Sequence, residues 1–194
     1  MKISLKNFKL NSEGIFSITK PYESFQIIKT IEFLFQGNIK DLVITDGTAS
    51  MGGDLINFSK KVKFVNGVEI NNENYEILKE NCEFFECSNI KLYNDDYLKI
   101  YDKLEQDIIY LDPPWGGSSY KEKDFITLKL GTLEIWELIN LIIQKKLCTY
   151  ILIKAPLNVS LYGIDYDLIK VIYNKTKVPT FKIICINVVN KLNE

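Results

Sequence analysis

Short apolar runs alternate with amphipathic segments along most of this chain of 194 residues. The runs predict five strands, near 42–46, 63–69, 90–93, 108–112 and 150–153. Helical spacing predicts helices over 21–35, over the residues up to 58, from Asn71 or Asn72 to 85, and over 133–146. This alternation favours an α/β fold with an open, mostly parallel sheet and helices on both faces. Two last runs, 166–173 and 181–189, predict a C-terminal antiparallel hairpin.

The segment Asp112-Pro113-Pro114-Trp115 directly follows the fourth predicted strand. Each proline fixes its own φ, removes a backbone N–H and keeps the preceding residue out of the helical region. The chain therefore leaves the strand stiff and extended, with one carboxylate, free carbonyl oxygens and an indole face in a fixed relation. These groups suit a flat substrate with an exocyclic amino group, because the acceptors can take its hydrogens while the indole stacks on the ring.

Acidic residues also follow the first three predicted strands. Asp46 opens a glycine-containing turn, 46–53, where the backbone can approach a ligand closely. A carboxylate there suits a cationic amino-acid group better than a phosphate. Glu69 is placed to accept both hydroxyls of a ribose, and its alternative is a solvated charge at a strand end. Asp96 can accept from an adenine amino group or can belong to an ordinary turn.

Charge and composition limit the functions that this chain can carry. The 24 basic and 25 acidic residues give a net charge of −1, so no broad basic field is available to hold a long nucleic acid. The chain has no histidine, which removes one common general base. Its four cysteines form no CxxC pair, so we expect free thiols in a reducing compartment and no metal site. We identify no signal peptide and no membrane span.

Taken together and in this order, the motifs resemble those of S-adenosylmethionine-dependent methyltransferases that act on exocyclic amino groups. This resemblance implies a Rossmann-like class I methyltransferase fold. The residues Asp-Pro-Pro-Trp-Gly-Gly at 112–117 are similar to the signature of the trimethylguanosine synthase family, the RNA cap guanosine-N2 methyltransferases. Residues 14–19 and the turn ending in Gly52-Gly53-Asp54 resemble two further segments of that family. The resemblance extends from Glu13 to Asn190.

The resemblance implies S-adenosylmethionine as the cofactor and capped RNA or a cap nucleotide as the substrate. The residues that it implies for the cofactor are Phe16, Thr19, Asp46, Gly47, Thr48, Gly52, Glu69, Ile70, Asp96, Tyr97 and Asp112. Those that it implies for the substrate are Ser17, Pro114, Trp115, Lys154 and Asn158, and those for catalysis are Asp112, Pro113 and Trp115. Lys154, at the end of the fifth strand, is expected either to contact a cap phosphate or to be solvated. Trp136 is expected in the core.

The chain departs from the family pattern at three points. Thr48 stands where the family usually has cysteine, and Asp112 stands where cellular members often have serine. About a dozen residues precede the 14–19 segment, where cellular members carry a helical extension. These departures favour a compact, viral-type member or one that stops at a single methyl group. We expect one domain over 1–194, with an arm and helix over 1–36 and a catalytic core over 37–194, in the cytoplasm or nucleus.

Three activities remain open at this point. The first is methylation of the guanine N2 amine of an RNA cap, which the double glycine and the 14–19 segment favour. The second is methylation of an adenine N6 or another exocyclic amine on RNA or DNA, because Asp-Pro-Pro-Trp serves both reactions. The third is a methyltransferase-fold module that binds a cap or cofactor without turnover, although the intact set of acidic residues argues against it.

Overall fold

The computed structural model describes residues 3–12 and 14–189. Glu13 and Asn190, the ends of the predicted resemblance, lie outside the described residues. The chain divides into two compact units, Met1–Gln106 and Asp107–Glu194. The sequence did not predict this boundary, and the division into an arm over 1–36 and a core over 37–194 stays a prediction.

The first unit is a parallel three-stranded layer with helices and the N-terminal arm. Its strands lie in the order β3-β2-β1, with Val43 beside Phe64 and Val65 beside Ile90. The elements, after a short 3-10 turn at Leu5–Asn7, are α1 (Gly14–Ser17), α2 (Pro21–Leu34), β1 (Val43–Asp46), α3 (Leu55–Ser59), β2 (Phe64–Val68), α4 (Asn72–Phe84), β3 (Ile90–Tyr93) and α5 (Tyr97–Ile100).

Local sequence explains where α2 and α4 begin and how α3 packs on β2. Pro21 stands in the first turn of α2, where a missing N–H costs nothing. Asn71 caps α4, since its side-chain oxygen accepts from the N–H of Asn74 at 3.0 Å. Gly67 in β2 leaves room for α3, because a Cβ there would lie 2.2 Å from the side chain of Leu55, the first residue of that helix. The start of α3 therefore packs closely on β2.

A buried asparagine fastens the N-terminal arm to the first unit. The Asn81 side chain, which is 2% exposed, accepts from the N–H of Lys9 at 2.8 Å and donates to the Lys9 carbonyl at 3.0 Å. It also donates to the Met51 carbonyl at 2.9 Å. Asn11 adds a second attachment by donating to the Asn74 side chain at 2.9 Å. One amide therefore connects the arm, α4 and the glycine turn after β1.

The second unit is a four-stranded layer with one long helix. β4 pairs in parallel with β7, and β9 pairs antiparallel with both β7 and β8. Its elements are β4 (Ile108–Leu111), β5 (Lys129–Leu130), β6 (Leu133–Glu134), α6 (Ile135–Lys145), β7 (Tyr150–Ala155), β8 (Ile169–Tyr173) and β9 (Lys182–Asn187), with 3-10 turns at Ser118–Glu122 and Tyr166–Leu168. β5 and β6 form a separate two-stranded ribbon.

The predicted fold class is confirmed, with parallel pairing through the predicted strands and an antiparallel C-terminal hairpin. Four short elements escaped prediction: α1, α5 and the β5–β6 pair. The fifth predicted strand also continues two residues beyond the predicted end, because Lys154 and Ala155 pair with Ile183 and Lys182 of β9. No helix in the described part of the chain is both long enough and apolar enough to cross a membrane.

We expect Asn81→Leu to lower the free energy of unfolding by about 2–4 kcal/mol, because it removes the partners of one buried and two part-buried backbone groups. Chemical denaturation measures this loss, and hydrogen exchange should show the Lys9 amide losing protection before the strands do. The control is Asn38→Leu at an exposed asparagine, which should change stability by less than about 0.5 kcal/mol. Equal effects of the two substitutions would show that Asn81 does not hold the arm.

Candidate functional site

Backbone N–H groups of the turn after β1 donate hydrogen bonds that hold the turn closed. The N–H of Thr48 donates to an Asp46 carboxylate oxygen at 3.2 Å, and the N–H of Ala49 donates to the Val68 carbonyl at 2.9 Å. Gly52 has a φ of +94°, which favours glycine, and a Cβ there would lie 2.9 Å from Leu78. Asp46 is 1% exposed and Gly47 is buried. The Asp46 carboxylate therefore shapes the turn, and its contact with the cofactor stays a prediction.

Glu69 joins the glycine turn to the start of α4. One carboxylate oxygen accepts from the N–H of Ser50 at 2.8 Å, and the other accepts from the N–H of Asn71 at 2.8 Å. The residue is 8% exposed, so the prediction of a solvated strand-end charge is wrong. Each carboxylate oxygen has a second lone pair, so this fixed group retains acceptor capacity for a ligand hydroxyl.

The residues after Glu69 and after β3 have different environments. Ile70 follows Glu69 and is 67% exposed, an apolar side chain beside a fixed carboxylate. Asp96 is half-buried and caps α5 by accepting from the N–H of Leu98 at 3.0 Å. Tyr97 is 2% exposed and packs against Tyr101 with ring centroids 6.4 Å apart. The Tyr97 ring is thus enclosed in the first unit, and its place in the adenine site stays a prediction.

The 14–19 segment lies against the glycine turn. Phe16 is 91% exposed and Ser17 is exposed, whereas Thr19 is buried. Gly53 makes this packing possible, since a Cβ there would lie 2.9 Å from the Thr19 carbonyl oxygen. Thr19 therefore supports the turn, and its contact with the cofactor stays a prediction.

An ion pair lies at the end of β4 in the second unit. The Lys154 ammonium donates to an Asp112 carboxylate oxygen at 2.8 Å, and the two side chains are 6% and 20% exposed. The expectation of a solvated Lys154 is wrong, because the side chain is buried and paired, and contact with a cap phosphate stays a prediction. The sequence offered no signal for the pair, since its members lie 42 residues apart.

Trp115 lies beside this ion pair. Its ring contacts Tyr120 edge to face, with centroids 5.3 Å apart and planes at 89°, and the Lys154 ammonium lies 5.8 Å from the Trp115 ring centroid. The indole Nε1 is buried and has no hydrogen-bond partner among the described residues. Pro113 is buried and Pro114 is exposed. The stiff Pro-Pro segment thus presents a half-buried aromatic ring next to a carboxylate.

A cleft of about 580 Å³ opens beside Trp115, also within the second unit. Sequence reasoning missed Phe125, Lys123 and Lys129, which line it together with Pro114 and Gly116. Phe125 is 72% exposed, and an aromatic residue in the lysine-rich stretch 121–129 was the available signal.

Asn158, predicted to bind substrate, holds the loop that forms one wall of this cleft. Its side chain donates to the carbonyls of Tyr120 at 2.8 Å and Lys123 at 2.9 Å. The side chain thus positions the loop with its amide hydrogens, and contact of Asn158 with the substrate stays a prediction.

The two clusters define what each unit can do chemically. The first unit offers a fixed carboxylate, an exposed apolar side chain and a tight glycine turn, which suit a ribose and an adenine ring. The second offers an aromatic face and carboxylate and carbonyl acceptors, which suit an amino-bearing base. Within residues 3–12 and 14–189, no three His, Cys, Asp or Glu side chains gather as metal ligands would.

We expect Asp112→Asn to destabilise the chain by about 3 kcal/mol, because it leaves the more deeply buried Lys154 without its countercharge. Lys154→Met should cost less, about 2 kcal/mol, since the remaining Asp112 is partly solvated. The double variant should cost less than the sum of the two, as measured by denaturation in a double-mutant cycle. The control is Lys129→Met, which removes the more exposed ion pair between Lys129 and Glu134. This substitution should lower the free energy of unfolding by less than about 1 kcal/mol. Additive effects would mean that the ion pair contributes no coupling.

Two of the solved structures that this chain resembles carry methyltransferase names. A structure assigned as a methyltransferase from Porphyromonas gingivalis has a TM-score of 0.64 and 17% identity, and the match covers 95% of this chain and 43% of that one. The precorrin-6y C5,15-methyltransferase of Geobacter metallireducens has a TM-score of 0.59 and 16% identity, with 95% of both chains covered. At this level of identity the likeness shows the fold alone.

Sequence comparisons point to one family. An uncharacterized protein of Acanthamoeba polyphaga mimivirus is 35% identical over 131 residues, covering 66% of this chain and 50% of that protein. Trimethylguanosine synthase of Schizosaccharomyces pombe is 25% identical over 126 residues, covering 61% of this chain and 51% of that protein. The chain thus spans about half the length of these curated relatives.

The profile of the RNA cap guanine-N2 methyltransferases matches residues 41–193, which is most of the chain. The family and the class I fold together imply S-adenosylmethionine as the methyl donor. The chain therefore belongs to the RNA cap guanine-N2 methyltransferase family.

Proposed function

We propose that this chain transfers a methyl group from S-adenosylmethionine to the exocyclic N2 amine of an N7-methylguanosine RNA cap. The observation that carries the proposal is the Trp115 ring next to the Asp112–Lys154 ion pair, on a segment stiffened by two prolines. Membership of the cap guanine-N2 family supports this choice of substrate over other amines.

The residues at the strand ends of the first unit fit the cofactor. Glu69 is held by two backbone amides and can accept from the ribose hydroxyls with its remaining lone pairs. The exposed Ile70 offers an apolar surface to the adenine ring, and Asp96, half-buried at the start of α5, lies after the next strand. The glycine turn, with Thr48 and Gly52, would accommodate the methionine end. When bound, S-adenosylmethionine supplies a sulfonium methyl group that an amine nitrogen can attack.

Trp115 accounts for a preference for the N7-methylated base. N7-methylguanine is cationic, and stacking on an indole face contributes a cation–π interaction of about 0.5–2 kcal/mol. The Lys154 ammonium lies near the same ring and would by itself repel the cationic base. The ion pair with Asp112 compensates the positive charge of Lys154. Asp112 therefore has an electrostatic role in addition to accepting from the amine.

The acceptors of the 112–114 segment orient the nucleophile. The N2 amine is conjugated and weakly nucleophilic, so an Asp112 oxygen and the Pro113 carbonyl would align its lone pair and stabilise its developing positive charge. Such a nitrogen loses its proton readily once it is alkylated, so the reaction needs no strong base. This is consistent with a chain that contains no histidine. A capped substrate also agrees with a cytoplasmic or nuclear location, where thiols stay reduced.

We expect Trp115→Ala to lower kcat/KM on an N7-methylated cap dinucleotide by about 10–100-fold, through the loss of stacking and cation–π energy. Trp115→Phe should lie between this variant and the unchanged chain, and binding of S-adenosylmethionine, measured by calorimetry, should be unaltered. Trp136→Phe, at the second tryptophan of the chain, is the matched control for Trp115→Phe and should retain activity. Parallel losses of cap turnover and cofactor affinity would show that Trp115 is structural.

We expect Glu69→Gln to weaken S-adenosylmethionine binding by about tenfold or more, because an amide group can accept from only one of its two present N–H partners. Calorimetric titration measures the change, and the control is Glu83→Gln at an exposed glutamate of the same unit. An unchanged affinity in Glu69→Gln would remove Glu69 from the cofactor site.

A further inference from the structure

Two of the four cysteines meet at the C-terminal end of α4. The N–H of Cys87 donates to the Cys82 carbonyl at 3.0 Å, and the N–H of Glu86 donates to the Glu83 carbonyl at 3.0 Å. Glu86 has a φ of +54°, in the left-handed region. These three features define a Schellman motif, in which the side chains of the first and last residues come into contact. Cysteine occupies both of those positions.

Cys87 lies in a polar environment with a cation close by. Ser59 Oγ lies 3.2 Å from Cys87 Sγ. The Lys60 ammonium donates to the carbonyls of Phe85 and Glu86, which places its charge at the same turn. The pKa of Cys87 is lowered, first by a hydrogen bond from the Cys82 thiol and then by Ser59 and Lys60, against the opposing effect of partial burial. The same pairing and burial raise the pKa of Cys82.

Both cysteines line a surface cleft of about 400 Å³, which lies wholly within the first unit. Lys79, Ser88 and the apolar side chains of Ile90 and Leu92 also line it. A small molecule with a polar and an apolar part can therefore approach Cys87, which is half-buried, whereas Cys82 is 3% exposed. The other two thiols contrast with this pair, because Cys148 and Cys185 are buried and burial raises the pKa of each to about 12.

We propose that Cys82 and Cys87 form a thiol–disulfide exchange site, at which Cys87 reacts with small-molecule disulfides and Cys82 resolves the product. The Cys87 thiolate attacks one sulfur of R–S–S–R, the S–S bond breaks, and one RS⁻ leaves as a mixed disulfide forms on Cys87. Capping Cys87 removes the negative charge that held the proton on Cys82. The Cys82 thiolate then attacks Cys87 Sγ and displaces the second RS⁻. Two protein thiols are oxidised to one disulfide, and R–S–S–R is reduced to two thiols.

The cysteine pair lies at the opposite end of α4 from the Glu69 contacts. α4 has 13 residues, so at about 1.5 Å per residue its two ends are about 20 Å apart, with Asn71 and the Glu69 contact at the other end. Closing the Cys82–Cys87 disulfide should therefore leave S-adenosylmethionine affinity within about twofold, since it does not alter the backbone contacts of Glu69. The pair is a separate modification site on the same unit.

The test treats the folded chain with oxidised glutathione at pH 7 and follows the intact mass and a peptide map. The unchanged chain should lose about 2 Da, and a reductant should restore the mass. Cys82→Ser should stop at one glutathione adduct on Cys87, because the resolving thiol is absent. Cys87→Ser should not react, and Cys148→Ser and Cys185→Ser, the buried-thiol controls, should match the unchanged chain.

A second measurement does not depend on variants that fold poorly. The rate of iodoacetamide alkylation at Cys87 in the unchanged chain should stay high at pH values where an ordinary thiol has become protonated, and Lys60→Met should lower it by about threefold or more. Modification of Cys148 or Cys185 ahead of Cys87, or a Cys82→Ser chain that still loses mass without an adduct, would overturn the proposal. So would a folded chain that does not react with oxidised glutathione.

Discussion

The hydrogen bonds of the Glu69 carboxylate are the interaction on which the first unit depends. A carboxylate next to a buried strand is stable only if its oxygens are satisfied, and the amides of Ser50 and Asn71 supply this. The same bonds fix the glycine turn after β1 and the first residues of α4 relative to each other. Asn81 extends this order to the arm through Lys9 and Met51. Because these hydrogen bonds satisfy the buried polar groups, they also hold the strand ends as a rigid surface for a ligand.

In the second unit, an ion pair compensates the charge of side chains that are largely removed from water. Asp112 and Lys154 neutralise each other where β4 and β7 end, next to the Trp115 ring. A lone lysine at this depth would be costly and would repel a cationic base. Paired with Asp112, it leaves the aromatic face compatible with N7-methylguanine. The charge balance thus connects the stability of this unit with the base that we propose it recognises.

Sequence reasoning succeeded where local pattern decides the structure. Apolar runs located the strands, Asn71 was one of two residues predicted at the start of α4, and the acidic residues at the strand ends were identified by their positions. It failed where side chains distant in sequence pair in space. Lys154 and Asp112 are 42 residues apart, and Asn81 and Lys9 are 72 apart, so neither contact leaves a local signal. The burial of Tyr97 and the use of Asn158 amide hydrogens on a loop depend on packing in the same way.

The most direct test of the account is to incubate the chain with labelled S-adenosylmethionine and three substrates: an N7-methylated cap dinucleotide, the unmethylated cap and an adenine-containing oligonucleotide. Digestion and mass spectrometry of the nucleosides would locate each methyl group. We predict that the labelled methyl group is transferred only to the N7-methylated cap, at the guanine N2. Label on adenine N6, or equal label on both caps, would contradict it. Binding of cofactor with no transfer to any substrate would indicate a module without turnover and would contradict it as well.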